Sequence, residues 1–154
     1  MYELNLPDFE AKIKSEGQRK LIYDILRRKY VALTPEEWVR QHFVHYLIGT
    51  CGYPQELLAN EVALQLNGTL KRCDTVLYRH DLSPLMIMEY KAPTVGITQR
   101  VFDQIARYNI VMRVRYLTVS NGLTHYCCRV DYDNNRCDFL PQIPSYDEIQ
   151  KSLS

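Results

Sequence analysis

Apolar residues first recur at the spacing of one helix face in the stretch that follows Thr34. The four positions concerned are Val39, Phe43, Tyr46 and Leu47. Thr34 can cap such a helix, Pro35 suits its first position, and Glu37 can reach back to close a capping box. We therefore predict a helix that runs from Thr34 to about Leu47 or Ile48.

The next segments have the two-residue period of β-strands. Large apolar residues alternate with small or polar ones across Glu61–Leu66, and Asn67-Gly68 then gives a strong hairpin signal. The returning strand is predicted at Arg72–Tyr78. After a further turn, Leu85–Tyr90 is largely apolar, which is typical of a central strand covered on both faces. These three strands should form an antiparallel meander.

The rest of the chain returns to a helix and then to strands. Ile97–Val111 has the apolar spacing of a helix, and it should cross over to a strand parallel to one of the first three. Three strands and a C-terminal helix are predicted after it: Tyr116–Val119, His125–Val130, Arg136–Leu140 and a helix from about Tyr146. Near the N-terminus we predict two short strands around Glu16-Gly17. The order α-β-β-β-α-β with extra C-terminal strands indicates one α/β domain over residues 1–154, with a mixed sheet flanked by helices.

Composition adds only a few constraints. The chain has 154 residues, of which 46% are hydrophobic and 24% charged, as in average globular proteins. It has no apolar run near the ~20 residues of a membrane span and no signal-peptide pattern at its start. We therefore expect a soluble, cytoplasmic protein with no membrane partner and reduced cysteines. The net charge of +1 argues against a strongly basic nucleic-acid binder, although basic clusters such as Lys71-Arg72 could gather around a cleft.

The strongest candidate chemistry lies where the second and third strands of the meander would pair. Side chains alternate across a strand, so Glu89 and Lys91 share one face. Asp74 and Glu89 are nearly equidistant from the turn between these strands, so Asp74 should lie opposite this end. Two carboxylates would then converge beside one lysine. Burying them costs several kcal/mol each unless a partner or a metal compensates.

These three side chains suit the hydrolysis of a phosphodiester bond. Mg²⁺ prefers one or two carboxylates, with its other ligands from water and phosphate, and Asp74 and Glu89 could supply the carboxylates. The lysine could orient an attacking water or offset developing negative charge. The bland alternative is a Glu89–Lys91 pair at a solvated strand end, which stabilises a protein little.

Asp74 followed by Glu89 and Lys91 resembles the signature of the PD-(D/E)XK nuclease superfamily, and the predicted element order resembles its restriction-endonuclease-like core. More narrowly, the chain resembles the N-terminal nuclease domain of type I restriction enzyme R (HsdR) subunits. The matching phrases lie within about residues 31–126 and read LTPEEWVRQHF, NGTLKRCDTVLY, MIMEYKAP and FDQIARYN. Cys73 stands where the superfamily label has a proline. R subunits continue into a helicase motor, but this sequence has no Walker G-x-x-x-x-G-K-[ST] motif, so we expect no ATP site in it.

The resemblance implies roles for further residues. Gln104 and Tyr108, four apart on the second helix, resemble a QxxxY motif that some members place beside the metal site and DNA. An upstream acid is also implied as a metal ligand, with Glu37 the first candidate and Glu36 or Glu61 the alternatives. The expected metal ligands are therefore the two strand carboxylates and Glu37. Core packing of Tyr108 and helix capping by Glu37 are the competing explanations.

The implied function is a metal-dependent DNA endonuclease of a restriction system. Cleavage would use an activated water, with Mg²⁺ as cofactor and Mn²⁺ as a substitute, and would leave a 5′-phosphate and a 3′-hydroxyl. DNA is the expected partner, together with other restriction-modification subunits or a second copy of the chain. The alternative is a nucleic-acid-binding or accessory module that keeps the fold but cleaves little by itself.

Overall fold

The computed structural model describes residues 2–66 and 68–153, which form a three-stranded sheet, a six-stranded sheet and three α-helices. The elements in chain order are β1 (Ile13–Glu16), β2 (Arg19–Asp24), β3 (Lys29–Ala32), α1 (Pro35–Gly49), β4 (Leu58–Leu66), β5 (Thr69–Tyr78), β6 (Pro84–Tyr90), α2 (Gln99–Ile110), β7 (Tyr116–Ser120), β8 (His125–Asp131), β9 (Arg136–Phe139) and α3 (Tyr146–Leu153). The predicted Asn67-Gly68 turn includes Asn67, which lies outside the described residues. Within the described part of the chain, no helix has both the length and the apolar character needed to cross a membrane.

The six-stranded sheet has the order β4-β5-β6-β7-β8-β9. The first three of these strands form the predicted antiparallel meander, and β7 pairs parallel to β6 after the crossover through α2. β8 and β9 then continue the sheet with antiparallel pairing. The predicted α-β-β-β-α-β order, the mixed sheet and the extra C-terminal strands are therefore confirmed.

β6 is buried on both of its faces, and this explains its apolar sequence. Met86 and Met88 face α1 and belong to the same buried cluster as Phe43. Ile87 faces the other way and belongs to a second cluster that includes Phe102 of α2. The prediction of a central, doubly covered strand is confirmed. All five cysteines are free thiols, as expected, and four of them are buried.

α1 begins at the predicted cap, but only half of the expected capping box forms. Thr34 Oγ1 accepts a hydrogen bond from the backbone N–H of Glu37 at 3.0 Å. The N–H of Thr34 donates to the carbonyl of Ala32 at 3.1 Å rather than to the Glu37 carboxylate. That carboxylate is taken up by three buried or half-buried donors: Arg27, Arg40 and Gln41. The predicted hydrogen bond from the N–H of Thr34 to the Glu37 carboxylate is therefore wrong. Cationic donors bind a carboxylate more strongly than a neutral N–H does.

The N-terminal segment contains one strand more than predicted. β1 and β2 meet at Gly17, where the two expected strands were placed, and Gly17 has a φ of +62° that suits a tight turn. β3 then pairs antiparallel with β2. The sequence pattern did not indicate β3, because only Tyr30 and Val31 of its four residues are even half-buried.

Gly122, in the turn between β7 and β8, lies against α1 and the N-terminal segment. Its φ is +85°, and a Cβ there would lie 2.7 Å from Leu4 Cδ2 and 3.2 Å from Val39 Cγ2. We expect Gly122→Ala to lower the free energy of unfolding by about 2–3 kcal/mol, because backbone strain and overpacking add. The Leu4 side chain can turn aside, but Val39 is fixed in the buried face of α1.

Gly17→Ala is the matched control for this prediction. Gly17 also has a positive φ, but a Cβ there would meet nothing within 4 Å. Only the backbone strain of about 1–2 kcal/mol should then appear. Urea unfolding measures both variants, and equal losses would show that the close packing of Gly122 contributes nothing.

Candidate active site

Asp74 of β5 and Glu89 of β6 lie side by side, with their carboxyl groups in hydrogen-bonding contact. The register of the two antiparallel strands places the acids opposite each other. Thr75 pairs with Met88, Asp74 precedes Thr75, and Glu89 follows Met88. Asp74 Oδ2 also accepts a hydrogen bond from the backbone N–H of Tyr90 at 2.8 Å, which fixes the carboxylate at the sheet. The structure thus brings together the two acids that the turn spacing placed opposite each other.

The surroundings of Glu89 disfavour its negative charge. Burial raises its pKa most, and the charge and hydrogen bond of Asp74 raise it further, whereas Lys71 opposes both. The result is a pKa of about 7 for Glu89. Two carboxyl groups this close in a buried site favour either a shared proton or a cation between them.

β5 departs from the strict alternation of side chains on which the sequence reasoning relied. Cys73 and Val76 are three residues apart, yet both pack in the cluster on the α2 side of the sheet. Thr75 lies between them and faces the α1 side. The strand therefore breaks its alternation around Asp74. As a consequence, Lys71 lies on the α2 side of the sheet, together with the two carboxylates.

Lys71 supplies the ammonium that contacts Glu89. Its Nζ lies 3.0 Å from Glu89 Oε1 and 2.6 Å from the carbonyl oxygen of Arg72. The same atom lies 4.2 Å from the centre of the Tyr108 ring, and only 7% of the Lys71 side chain is exposed. The sequence pattern assigns Lys71 only to a basic cluster with Arg72. Strict alternation would put Lys71 on the opposite face from Asp74. Its two-residue spacing from a small apolar residue, Cys73, was the only local sign that it would be buried.

Lys91, Gln104 and Tyr108 come together around a surface cavity of about 530 Å³ beside α2. Lys91 directly follows β6, and its N–H extends the ladder to β7 with a 2.9 Å hydrogen bond. Gln104 and Tyr108 lie on the exposed side of α2, and Tyr108 is 61% exposed. Within the described residues, the ion pair on Glu89 is made by Lys71 and not by Lys91. Tyr108 links the two lysines, because it lines the cavity with one and holds the other against its ring.

Glu37, the acid expected as a third metal ligand, binds arginines instead. Its Oε1 accepts from Arg27 Nη2 at 2.8 Å and from Arg40 Nη2 at 2.6 Å. Gln41 Nε2 donates to Oε2 at 2.8 Å. Burial alone would raise the pKa of Glu37, but the hydrogen bonds and charge of Arg40, with smaller effects of Gln41 and Arg27, outweigh burial and lower it. Across residues 2–66 and 68–153, no three His, Cys, Asp or Glu side chains form a cluster that could hold a metal, so the three-acid set with Glu37 is not assembled.

The two alternative acids lie in different surroundings. Glu36 is exposed at the start of α1. Glu61 of β4 has a φ of +56° and forms ion pairs with Arg40 at 2.8 Å and with Arg72 at 3.0 Å. Arg40 also donates from Nη1 to the backbone carbonyl of Asp74 at 2.9 Å. Arg40 therefore ties α1 and β4 to the position on β5 that carries the first carboxylate.

The chemistry of the Asp74–Glu89 pair fits a hard divalent cation. Carboxylate oxygens are the ligands that Mg²⁺ prefers, and two carboxylates leave room for water and phosphate. When both acids are ionised, Lys71 compensates one of their two negative charges, and among the described residues no ion pair forms with Asp74. A cation between the carboxylates would relieve the repulsion that helps to raise the pKa of Glu89.

Comparison with known proteins finds both a matching family and a similar solved structure. The family described as "Type I restriction enzyme R protein N terminus (HSDR_N)" matches residues 35–144. A solved chain described as a fragment of an HsdR subunit of a type I restriction enzyme from Vibrio vulnificus YJ016 superposes with a TM-score of 0.55 and 20% sequence identity. The match covers 79% of this chain and 25% of that one, so this chain spans a quarter of its length. No curated protein matches the chain. The structural likeness confirms the predicted restriction-endonuclease-like fold.

Proposed function

This chain belongs to the family of type I restriction enzyme R protein N-termini, and on that premise we propose that it is a magnesium-dependent DNA endonuclease. The observation that carries the proposal is the meeting of Asp74 and Glu89 beside one buried lysine, which leaves one negative charge uncompensated among the described side chains when both acids are ionised. Lys71, which pairs with Glu89, also lies on the ring of Tyr108. Tyr108 in turn lines a cavity together with Lys91 and Gln104.

In this proposal Asp74 and Glu89 hold Mg²⁺ through their carboxylate oxygens. When bound, the metal supplies positive charge to the phosphoryl oxygens and increases the acidity of the attacking water. Lys91 orients that water or offsets the negative charge that develops during attack. Gln104 and Tyr108 support Lys91 or contact the DNA backbone from the exposed side of α2. The products would be a 5′-phosphate and a 3′-hydroxyl.

The proposed partners are DNA and the other subunits of a restriction-modification system, or a second copy of the chain. The proposed location is the cytoplasm, where the DNA substrate of such a nuclease would be found. The basic residues near the site give local positive charge despite the low net charge of the chain. Lys71, Arg72 and Lys91 all lie on the strands that carry the two acids or directly after them.

A plasmid assay tests the proposal directly. Purified protein should convert supercoiled DNA to nicked or linear forms with Mg²⁺, with Mn²⁺ as a substitute, and EDTA should stop the reaction because the carboxylates lose their cation. Gel electrophoresis measures the loss of supercoiled substrate over time. Cleavage at the same rate in EDTA would contradict metal dependence.

The second candidate is an accessory module that binds nucleic acid and cleaves little by itself. One observation favours it: Glu37, the expected third acid, is held by Arg27 and Arg40 rather than by the site. Titration with MgCl₂ separates the candidates. A saturable Mg²⁺ site that involves Asp74 supports the nuclease, whereas a folded protein that binds no Mg²⁺ supports the module.

A further inference from the structure

Lys71 occupies the place in the site where a cation would compensate the carboxylates. We propose that Lys71 is an internal counter-ion that competes with Mg²⁺ for Glu89 and thereby sets how tightly the protein binds the metal. This inference rests on the proposed function, since it takes Asp74 and Glu89 as the metal ligands. The inference gives a positioning role to a residue outside the signature formed by Asp74, Glu89 and Lys91.

Three contacts hold the ammonium of Lys71 in this place. Glu89 Oε1 lies 3.0 Å away and the carbonyl oxygen of Arg72 lies 2.6 Å away. The ring of Tyr108 lies on a further side, with its centre at 4.2 Å, and it attracts the cation through its π-face. A lysine this well buried needs a carboxylate partner, and Glu89 supplies it. Lys71 is therefore a buried lysine held at the site by these contacts, not a solvent-exposed surface lysine.

Lys71 and a divalent cation would require the same carboxylate. Glu89 Oε1 is engaged by the ammonium, and Asp74 Oδ2 is engaged by the backbone N–H of Tyr90 at 2.8 Å. A cation held by both acids would lie close to the ammonium, and like charges repel strongly in a buried site. The contact with the Tyr108 ring can remain when the ammonium releases Glu89, so that Lys71 keeps one of its partners. Metal binding thus involves an exchange of one cation for another.

Calorimetric titration of the whole chain with MgCl₂, without DNA, tests this exchange. Lys71→Met removes the charge and keeps an apolar side chain of similar length. We expect this variant to bind Mg²⁺ about tenfold more tightly than wild type, because a positive charge beside the metal has been removed. The rise in melting temperature on adding Mg²⁺ should also be larger than in wild type, because the metal-free variant has lost its counter-ion.

Lys14→Met is the matched control for the loss of a lysine that rests on a tyrosine. Lys14 Nζ lies 4.3 Å from the centre of the Tyr30 ring in the N-terminal sheet, away from the two acids. This variant should bind Mg²⁺ as wild type does. Lys71→Gln gives a second measurement should the methionine variant fail to fold, because glutamine keeps a donor for Glu89 without the charge.

Unchanged or weaker Mg²⁺ binding in a folded Lys71 variant would overturn the inference, since Lys71 would then support Glu89 rather than compete for it. Asp74→Asn distinguishes this result from a failure of the proposed function. Wild type that shows no saturable Mg²⁺ binding, or binding that survives in Asp74→Asn, would refute the proposed function and the inference together. Binding that is lost in Asp74→Asn but not tightened in Lys71→Met would refute the inference alone.

Discussion

Asp74→Asn should abolish Mg²⁺-dependent cleavage of plasmid DNA and leave the protein folded. Asparagine has the shape of aspartate, and its carbonyl oxygen can still accept the hydrogen bond from Tyr90 N–H. The substitution removes one of the two charges that would hold the metal. Metal stabilisation of a phosphoryl-transfer transition state amounts to several kcal/mol, so the initial rate should fall about a thousandfold or more. The melting temperature should be equal or higher, because a repelling charge next to Glu89 is lost.

Two further variants make this result specific. Asp103→Asn makes the same change of charge at an exposed position on α2, where the carboxylate accepts a hydrogen bond from Gln99 at 2.8 Å. It should cleave DNA at the wild-type rate. Lys91→Ala should lose cleavage but keep Mg²⁺ binding, because it is proposed to act on the water rather than on the metal. An Asp74→Asn protein that nicks DNA as fast as wild type would remove the basis of the metal site.

Arg40→Met should lower the free energy of unfolding by about 3–5 kcal/mol, the loss that follows when a buried ion pair keeps only one partner. Arg40 is 8% exposed and donates to both oxygens of Glu37, at 2.6 Å and 2.9 Å. Without it, Arg27 is the one cationic partner left to the buried Glu37 carboxylate in the part of the chain that the structure describes. Urea unfolding at pH 7 measures the loss, and Arg40→Lys should recover little of it, because lysine lacks the planar fork of donors.

Arg72→Met is the matched control for Arg40→Met. Both arginines pair with Glu61, but the side chain of Arg72 is 72% exposed. An exposed ion pair contributes about 0–1 kcal/mol, so this variant should unfold almost as wild type does. Similar losses in the two variants would show that burial of the Arg40 network contributes nothing to stability.

Acid should narrow the stability difference between wild type and Arg40→Met. Burial acts to raise the pKa of Glu37, but Arg40, together with Gln41 and Arg27, outweighs burial and lowers the pKa below its ordinary value of 4.5. A carboxyl group with a lowered pKa in the folded state stabilises the protein above pH 4.5, and this contribution is lost as the pH falls through the folded value. In Arg40→Met, the guanidinium group that lowers the pKa of Glu37 against the effect of burial is absent. Unfolding curves recorded at pH 7 and at successively lower pH should therefore converge below pH 4.5.

The elements of the main sheet could be predicted because local signals and tertiary packing agree there. Thr34 caps α1, and the apolar run of β6 is buried on both faces. The pairing of Asp74 with Glu89 followed from their spacing about one short turn. These features depend on neighbours in the sequence or on a hairpin register, which the sequence pattern carries.

The partners of Lys71 and Glu37 could not be predicted, because they depend on contacts that no local pattern records. Lys71 reaches Glu89 only because β5 breaks its alternation around Asp74. Glu37 is held in part by Arg27, which lies between β2 and β3 in a sheet whose strands are short and partly exposed. The capping-box pattern around Glu37 was real, but two guanidinium groups in the folded protein compete better for its carboxylate.

The bridge that Arg40 makes between Glu37, Glu61 and the carbonyl of Asp74 has a consequence for genetic selection. If the proposed nuclease kills cells that express it, survivors of random mutagenesis should carry substitutions at Arg40 as well as at the two acids, although Arg40 is buried and pairs with Glu37. Arg40 alleles would be temperature-sensitive, with the proposed activity restored at low growth temperature. Asp74 alleles would lack that activity at every temperature. Sorting survivors by growth temperature would thus separate substitutions that destabilise the fold from substitutions that remove the proposed activity, without protein purification.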